Sequence, residues 1–216
     1  MLYEDVPIDI AEVLADAHPK GVIHVGAFMG EELPLYVNAG VEHRCWIEAD
    51  PVTFNKLKQN IPKTDLALNF AIGDKNASVA FTRMTNGASS SLLTPYLHLY
   101  KYPDISISGG MRVRGRTLDR LVDDGIIDMS LYDMLLLDIQ GAEGMAINGF
   151  VKHIDKINYI VSEVNYEELY DGCILIDEFD KLLLDLGFEK QWATIHITVG
   201  WGDAYYKRTK WITTQG

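Results

Sequence analysis

Cysteine is scarce in this chain: Cys45 and Cys173 are the only two among 216 residues. Two cysteines in a chain of this length make no disulfide framework, so a packed core must hold the fold and a reducing setting is expected. Positive charge is also in short supply, with 19 Lys and Arg against 31 Asp and Glu and a net charge of −12. Clustered cations are what neutralise phosphates, so neither a nucleic-acid backbone nor an anionic membrane surface is the expected partner. No apolar run approaches the roughly 18 residues that a membrane span needs. The opening MLYEDVPIDIAEVL is acidic where a secretory leader has basic residues before an apolar stretch. No repeat, low-complexity tract or long linker divides the chain, and His98, His153 and His196 stand alone without zinc spacing. The expectation is a soluble, cytoplasmic domain without a metal ion.

What is present is alternation. With 48% apolar residues, one sizeable core is within reach. Ile10, Val13, Leu14 and Ala17 at helical spacing predict a short N-terminal helix stopped by Pro19, in an extension over residues 1–20. From residue 21 to 216 strands and helices then follow in turn. Strands are expected at 21–25, 44–49, 66–72, 132–139 and 158–165, with a terminal pair at 188–195 and 203–209. Helices are expected at 31–40, 51–60, 117–124, 142–150 and 174–187. Continuous apolar runs such as DMLLLDI suit strands buried on both faces. The fold class read from this order is α/β: a doubly wound, mostly parallel, Rossmann-like sheet with an antiparallel C-terminal edge hairpin.

Such sheets bind ligands beyond the carboxyl ends of their strands, so polar residues there are the candidates. The first strand ends in VIHVGAFMGEEL, where Gly26 and Gly30 form a glycine turn leading into a helix. A helix N-terminus of this kind receives anionic or zwitterionic groups. Glu48 ends the second strand about 20 residues past that turn, the usual place of a carboxylate that accepts from a ribose diol. Asp74 follows the third in AIGD, Asp138 ends the fourth ahead of Gln140, and the fifth carries Glu163 and Asn165 on one face. Each alone has a bland reading: Glu48 solvated, Asp138 a cap for the next helix. Four carboxylates at four successive strand ends suit a cationic ligand with adenosine and amino-acid parts, which is S-adenosylmethionine.

The blocks VIHVGAFMGEE, CWIEADP, FAIGD, SSSLL, RTLDRL, LLLDIQGAEGMAINGF, VSEVNYEELYDGC and GWGDAYY occur in an order that resembles the FkbM-type methyltransferases, over about residues 21–209. The resemblance implies a class I methyltransferase fold, S-adenosylmethionine as cofactor, and O-methylation of a small hydroxyl compound, often a sugar. It carries cofactor binding onto Gly26, Gly30, Glu48, Asp74 and Asp138. The adjoining His24, Ala27, Ala71, Ile72 and Gln140 complete the expected cofactor set. His24 stands where Asp is usual, and Phe28 where Asn or His is usual.

Asp138 and Glu163 are the candidate catalytic carboxylates, since an alcohol needs a group to take its proton. Ser90, Ser91, Arg114, Asn165 and His196 are the candidate substrate contacts. Arg112, Arg114 and Arg116 would share one side of a strand, as a solvated edge or as a patch for an anionic acceptor. Tyr96, Tyr100 and Tyr102 could stack on a sugar or pack on the domain. Two other classes compete: an NAD(P)-dependent oxidoreductase or epimerase, and a non-catalytic binding protein on the same fold. GAFMG lacks the central glycine that lets a pyrophosphate approach, which disfavours the first.

Overall fold

The computed structural model describes residues 9–194 and 199–209. Its centre is β1 (Gly21–Val25), buried along its whole length because both of its faces are covered. Parallel partners flank it: β2 (His43–Ile47) on one side and β7 (Met134–Leu137) on the other. Beyond them lie β3 (Leu66–Leu68) next to β2 and β8 (Tyr159–Asn165) next to β7. β10 (Trp201–Arg208) runs antiparallel to β8 and carries β9 (Phe188–Ala193) at the edge. The order of this seven-stranded sheet is β3-β2-β1-β7-β8-β10-β9.

The period of two in each strand divides the core into two layers. On one face α1 (Ile10–Ala17), α2 (Leu33–Asn38) and α3 (Pro51–Asn60) bring Leu14, Tyr36 and Leu57 onto Val22, Trp46, Leu136 and Val161. On the other, α5 (Leu118–Asp123), α6 (Glu143–Asn148) and α7 (Ile176–Asp185) bring Leu121, Ile147 and Phe179 onto Ile23, Val25, Leu135 and Ile160. Local chemistry fixes the helix ends. Asp9 and Asp50 accept from Ala11 and Val52 N–H at the starts of α1 and α3, and α1 ends at His18, in the left-handed region ahead of Pro19. α1 is docked rather than detached: Tyr205 donates to Asp16 at 3.0 Å, and Lys207 pairs with the same carboxylate. Both cysteines are free and buried. No helix among the described residues is long and apolar enough to cross a membrane.

One expected strand is corrected. Residues 66–72 are not continuous: β3 ends at Leu68, and β4 (Ala71–Ile72) joins a second sheet with β5 (Ser78–Met84) and β6 (Ile107–Arg116), in the order β4-β6-β5. The break is pinned by Asn69, whose side-chain amide donates to Glu48 O at 2.8 Å and Ala49 O at 3.0 Å. Asn69 is the one polar residue in that run, and its partners lie outside it. The second sheet, with Phe81 and Val113 in a small core of its own, folds over the carboxyl ends of β1 and β2.

Close approach of two chain segments sets the geometry at those ends. Gly26 has φ +86°, and a Cβ there would lie 1.7 Å from Asp138 O. Asp138 N–H donates to Val25 O, and Gly26 N–H to Ile47 O, which ties the exits of β1, β2 and β7 together. Gly26→Ala is therefore expected to lower stability by roughly 3 kcal/mol or more. Gly40 also has positive φ but open space around it, so Gly40→Ala should cost only about 1–2 kcal/mol. Denaturant midpoints of the two variants check this, and equal midpoints would remove backbone crowding as the cause.

Candidate active site

Two cavities meet at the carboxyl ends of β1, β2, β7 and β8. The first is bounded by the β1 turn (Gly26, Ala27, Phe28), by Glu48, and by Ala71, Ile72, Phe81, Ser90 and Leu92 from the second sheet and its following loop. Glu48 is 8% exposed and is held from behind: Oε2 accepts from Phe28 N–H at 3.0 Å and Oε1 from Asp50 N–H at 2.7 Å. Each oxygen keeps accepting capacity beyond that bond. Burial pushes its pKa up to about 7. Phe28 sits at φ +43°, and a Cβ on Gly87 would come within 3.3 Å of its ring, so the loop after β5 lies against it. The donor set combines a buried carboxylate with spare accepting capacity, a glycine turn and an apolar slot between Ile47, Ile72, Phe81 and Leu92. It fits a molecule with ribose and a flat aromatic base.

The second cavity, about 410 Å³, is large enough for a small organic molecule. Its walls are Asp138, Glu163 and Asp203, then His98, Tyr102 and Trp201. Asp138 and Gln140 line both cavities. The Gln140 amide donates to Asp138 Oδ1 at 2.8 Å and to Glu163 Oε2 at 2.9 Å, and its own oxygen accepts from Tyr170 OH at 2.8 Å. Gln140 is in the left-handed region at φ +58°, and its backbone oxygen accepts from Ser91 Oγ at 2.8 Å. Burial raises the proton affinity of Asp138 and Glu163, and for Glu163 the neighbouring Asp138 charge adds to it. Glu143, buried beneath them at the start of α6, is also pushed upward by burial; Oε1 accepts from Ile139 N–H while Oε2 has no partner.

The structure sorts the expected residues into three groups. Gly26, Ala27, Glu48, Ala71, Ile72, Ser90, Asp138 and Gln140 line the first cavity, and Asp138, Gln140 and Glu163 the second. His24, Gly30, Ser91 and Asn165 stand behind the walls. His24 Nδ1 faces Tyr36 OH at 3.2 Å, and burial lowers its pKa to about 4; Gly30 packs over Leu57 and Ile61. Asn165 is buried, with Oδ1 unpartnered. Asp74 and Arg114 are exposed and outside both cavities. Asp74 borders a separate hollow beside Lys75 and Arg112, and Arg114 lies 5.0 Å over the Phe70 ring. His196 lies outside the described residues. Asp138 does not cap α6, whose N-cap Ala142 has no side-chain bond. Of the three tyrosines, Tyr102 lines the second cavity, while Tyr96 and Tyr100 are exposed. His98, Tyr170, Trp201 and Asp203 escaped the reading of strand ends. Tyr170 lies within the block VSEVNYEELYDGC, Trp201 and Asp203 within GWGDAYY, and His98 stood out only as a lone histidine.

The family described as Methyltransferase FkbM domain matches residues 24–190. The 2-O-methyltransferase NoeI of Sinorhizobium fredii (strain NBRC 101917 / NGR234) is 29% identical over 149 residues, which are 64% of this chain and 58% of that protein. The chain thus spans less than two thirds of that relative's length. Among solved structures, M. capricolum TrmK with S-adenosylhomocysteine has a TM-score of 0.52 at 8% identity, over 96% of this chain and 71% of that one. Magnesium protoporphyrin IX methyltransferase from Synechocystis PCC 6803 with bound S-adenosylhomocysteine has a TM-score of 0.52 at 10% identity, over 93% and 80%. These two likenesses establish the Rossmann-like methyltransferase fold, and the oxidoreductase alternative falls with the family match. The chain belongs to the FkbM methyltransferase domain family, with S-adenosylmethionine as its cofactor.

Proposed function

We propose that this protein methylates a hydroxyl group of a small, sugar-like acceptor in the second cavity. The observation that carries this reading is the shared wall: Asp138 and Gln140 border both the cofactor cavity and its neighbour. S-adenosylmethionine supplies an electrophilic methyl group. The chain's own task is to hold the hydroxyl in line and to take its proton. Gln140 spends both amide hydrogens on Asp138 and Glu163, which fixes their orientation and eases their repulsion. A carboxylate whose proton affinity is raised is a better base, when ionised, than a solvated one. Asp138 and Glu163 are the residues in that role. Glu48 accepts from the cofactor's ribose, and the glycine turn at Gly26 receives its amino-acid end. O-methylation is also what the name of the S. fredii relative states for that protein. The defining experiment is incubation with S-adenosylmethionine and a panel of sugars. Mass spectrometry should find a gain of one methylene unit on one of them. Cofactor binding without transfer to any hydroxyl would favour the non-catalytic reading.

Two variants test the division of labour. Glu48→Gln should weaken S-adenosylmethionine binding by about 1.5–3 kcal/mol in calorimetry, the worth of a hydrogen bond to a charged group. Because the Glu48 pKa is raised to about 7, wild-type affinity should rise as pH increases through 7, where the carboxylate ionises, and the variant should lose that slope. A flat wild-type profile would take Glu48 out of the ribose contact. Asp138→Asn keeps the shape and an acceptor for the Gln140 amide. It should fold normally and lose about 10²–10⁴-fold in turnover. Wild-type turnover in that variant would make Asp138 structural.

A further inference from the structure

We infer that the acceptor carries a protonated amine beside the hydroxyl that is methylated, as an aminosugar or amino alcohol does. This rests on the second cavity being the acceptor site and narrows the acceptor's chemistry. In the antiparallel pairing of β8 and β10, Glu163 stands directly opposite Asp203. Like charges in that register destabilise a sheet. Gln140 gives Glu163 one hydrogen bond, whereas among the described residues no hydrogen bond or ion pair reaches the Asp203 carboxylate. No Lys or Arg among the described residues lines this cavity, and Lys101, next to Tyr102 in the chain, is paired with Glu167 at 2.8 Å.

The cofactor's own positive charge does not account for the pair. Asp138 borders both cavities and meets that charge, but Glu163 and Asp203 do not line the cofactor cavity. Nor do the described residues gather three or more His, Cys, Asp or Glu side chains into an arrangement that could hold a metal ion. An organic cation would meet both carboxylates at once and favour their ionised forms. Tyr102 and Trp201, joined by an indole-to-phenol hydrogen bond of 2.7 Å, line the same cavity and offer it aromatic surface. His98 supplies an independent sign of a ligand. It lines the cavity, is only 4% exposed, and its Nδ1 has no partner although its ring is packed against Tyr102 and Tyr170. A buried polar atom left unpaired is costly, and a ligand hydroxyl would satisfy it. Burial keeps that imidazole neutral, so it does not balance the carboxylates. Together these walls suit a molecule with an ammonium group and hydroxyls, and they repel an anionic one.

The test uses the full chain saturated with S-adenosylhomocysteine, with binding of glucosamine, glucose, N-acetylglucosamine and glucuronate read by NMR titration. Glucosamine should bind about tenfold more tightly than glucose, as one charge-assisted contact allows, and glucuronate least of all. Asp203→Asn should shrink the glucosamine advantage to about twofold and leave S-adenosylhomocysteine affinity unchanged. If that variant does not fold, Glu163→Gln is read by the same binding ratio. Equal affinity for glucosamine and glucose, an advantage that survives both substitutions, or no amine binding at all overturns the inference. Methylation of neutral hexoses without preference for the amine would overturn it and leave the O-methyltransferase reading intact. Selective glucosamine binding without methyl transfer would do the reverse.

Discussion

The site depends on one side chain, the Gln140 amide. Its two hydrogens go to Asp138 and Glu163, its oxygen is held by Tyr170, and its backbone oxygen by Ser91. Without it, the Asp138 carboxylate at the cavity wall and the buried Glu163 would face each other with nothing between them, and their repulsion would favour a proton on one of them. The orientation of the amide is set by its partners, because only a nitrogen can serve both carboxylates while an oxygen accepts the phenol. This one group ties the ends of β7 and β8 to the loop after β5. The two cavities meet at the same point.

Charge in this protein is distributed for a purpose that the fold alone does not require. The net charge of −12 is a bulk property, but Glu48, Asp138, Glu143, Glu163 and Asp203 are drawn inward to one end of the sheet, and burial raises the proton affinity of each. Unpaired charge in such a setting opposes folding. A sheet covered on both faces could carry apolar residues at these positions and be more stable. Retaining acids there suits a cationic cofactor on one side of Asp138, and on our reading a cationic acceptor on the other.

Much of the architecture was legible because its signals are local. The runs at 21–25, 132–139 and 158–165 are β1, β7 and β8 within a few residues, since a strand buried on both faces needs an unbroken apolar stretch. The end of the first helix followed from Pro19, since α1 closes at His18 just before it. The stretch 66–72 misled because only Asn69 interrupts its apolar run, and the turn there depends on carbonyls beyond β2. MRVRGR does lie in a strand, the central one of the second sheet, and Arg114 faces solvent with its guanidinium over the Phe70 ring.

By itself the sequence determined the alternation of strands and helices, the glycine turn at Gly26 and the carboxylates Glu48, Asp138 and Glu163 at strand ends. Those features follow from periodicity of two or 3.6 and from steric rules that act within a few residues. Only the tertiary structure decided which polar groups share a cavity. Asp203 meets Glu163 through the antiparallel register of β10 on β8, and His98 joins them from the short helix α4 (Leu97–Lys101), far away in the chain. Asp74, two residues past β4, is turned out to solvent. Register and chain reversal are settled by packing between segments distant in sequence, and no local pattern encodes them.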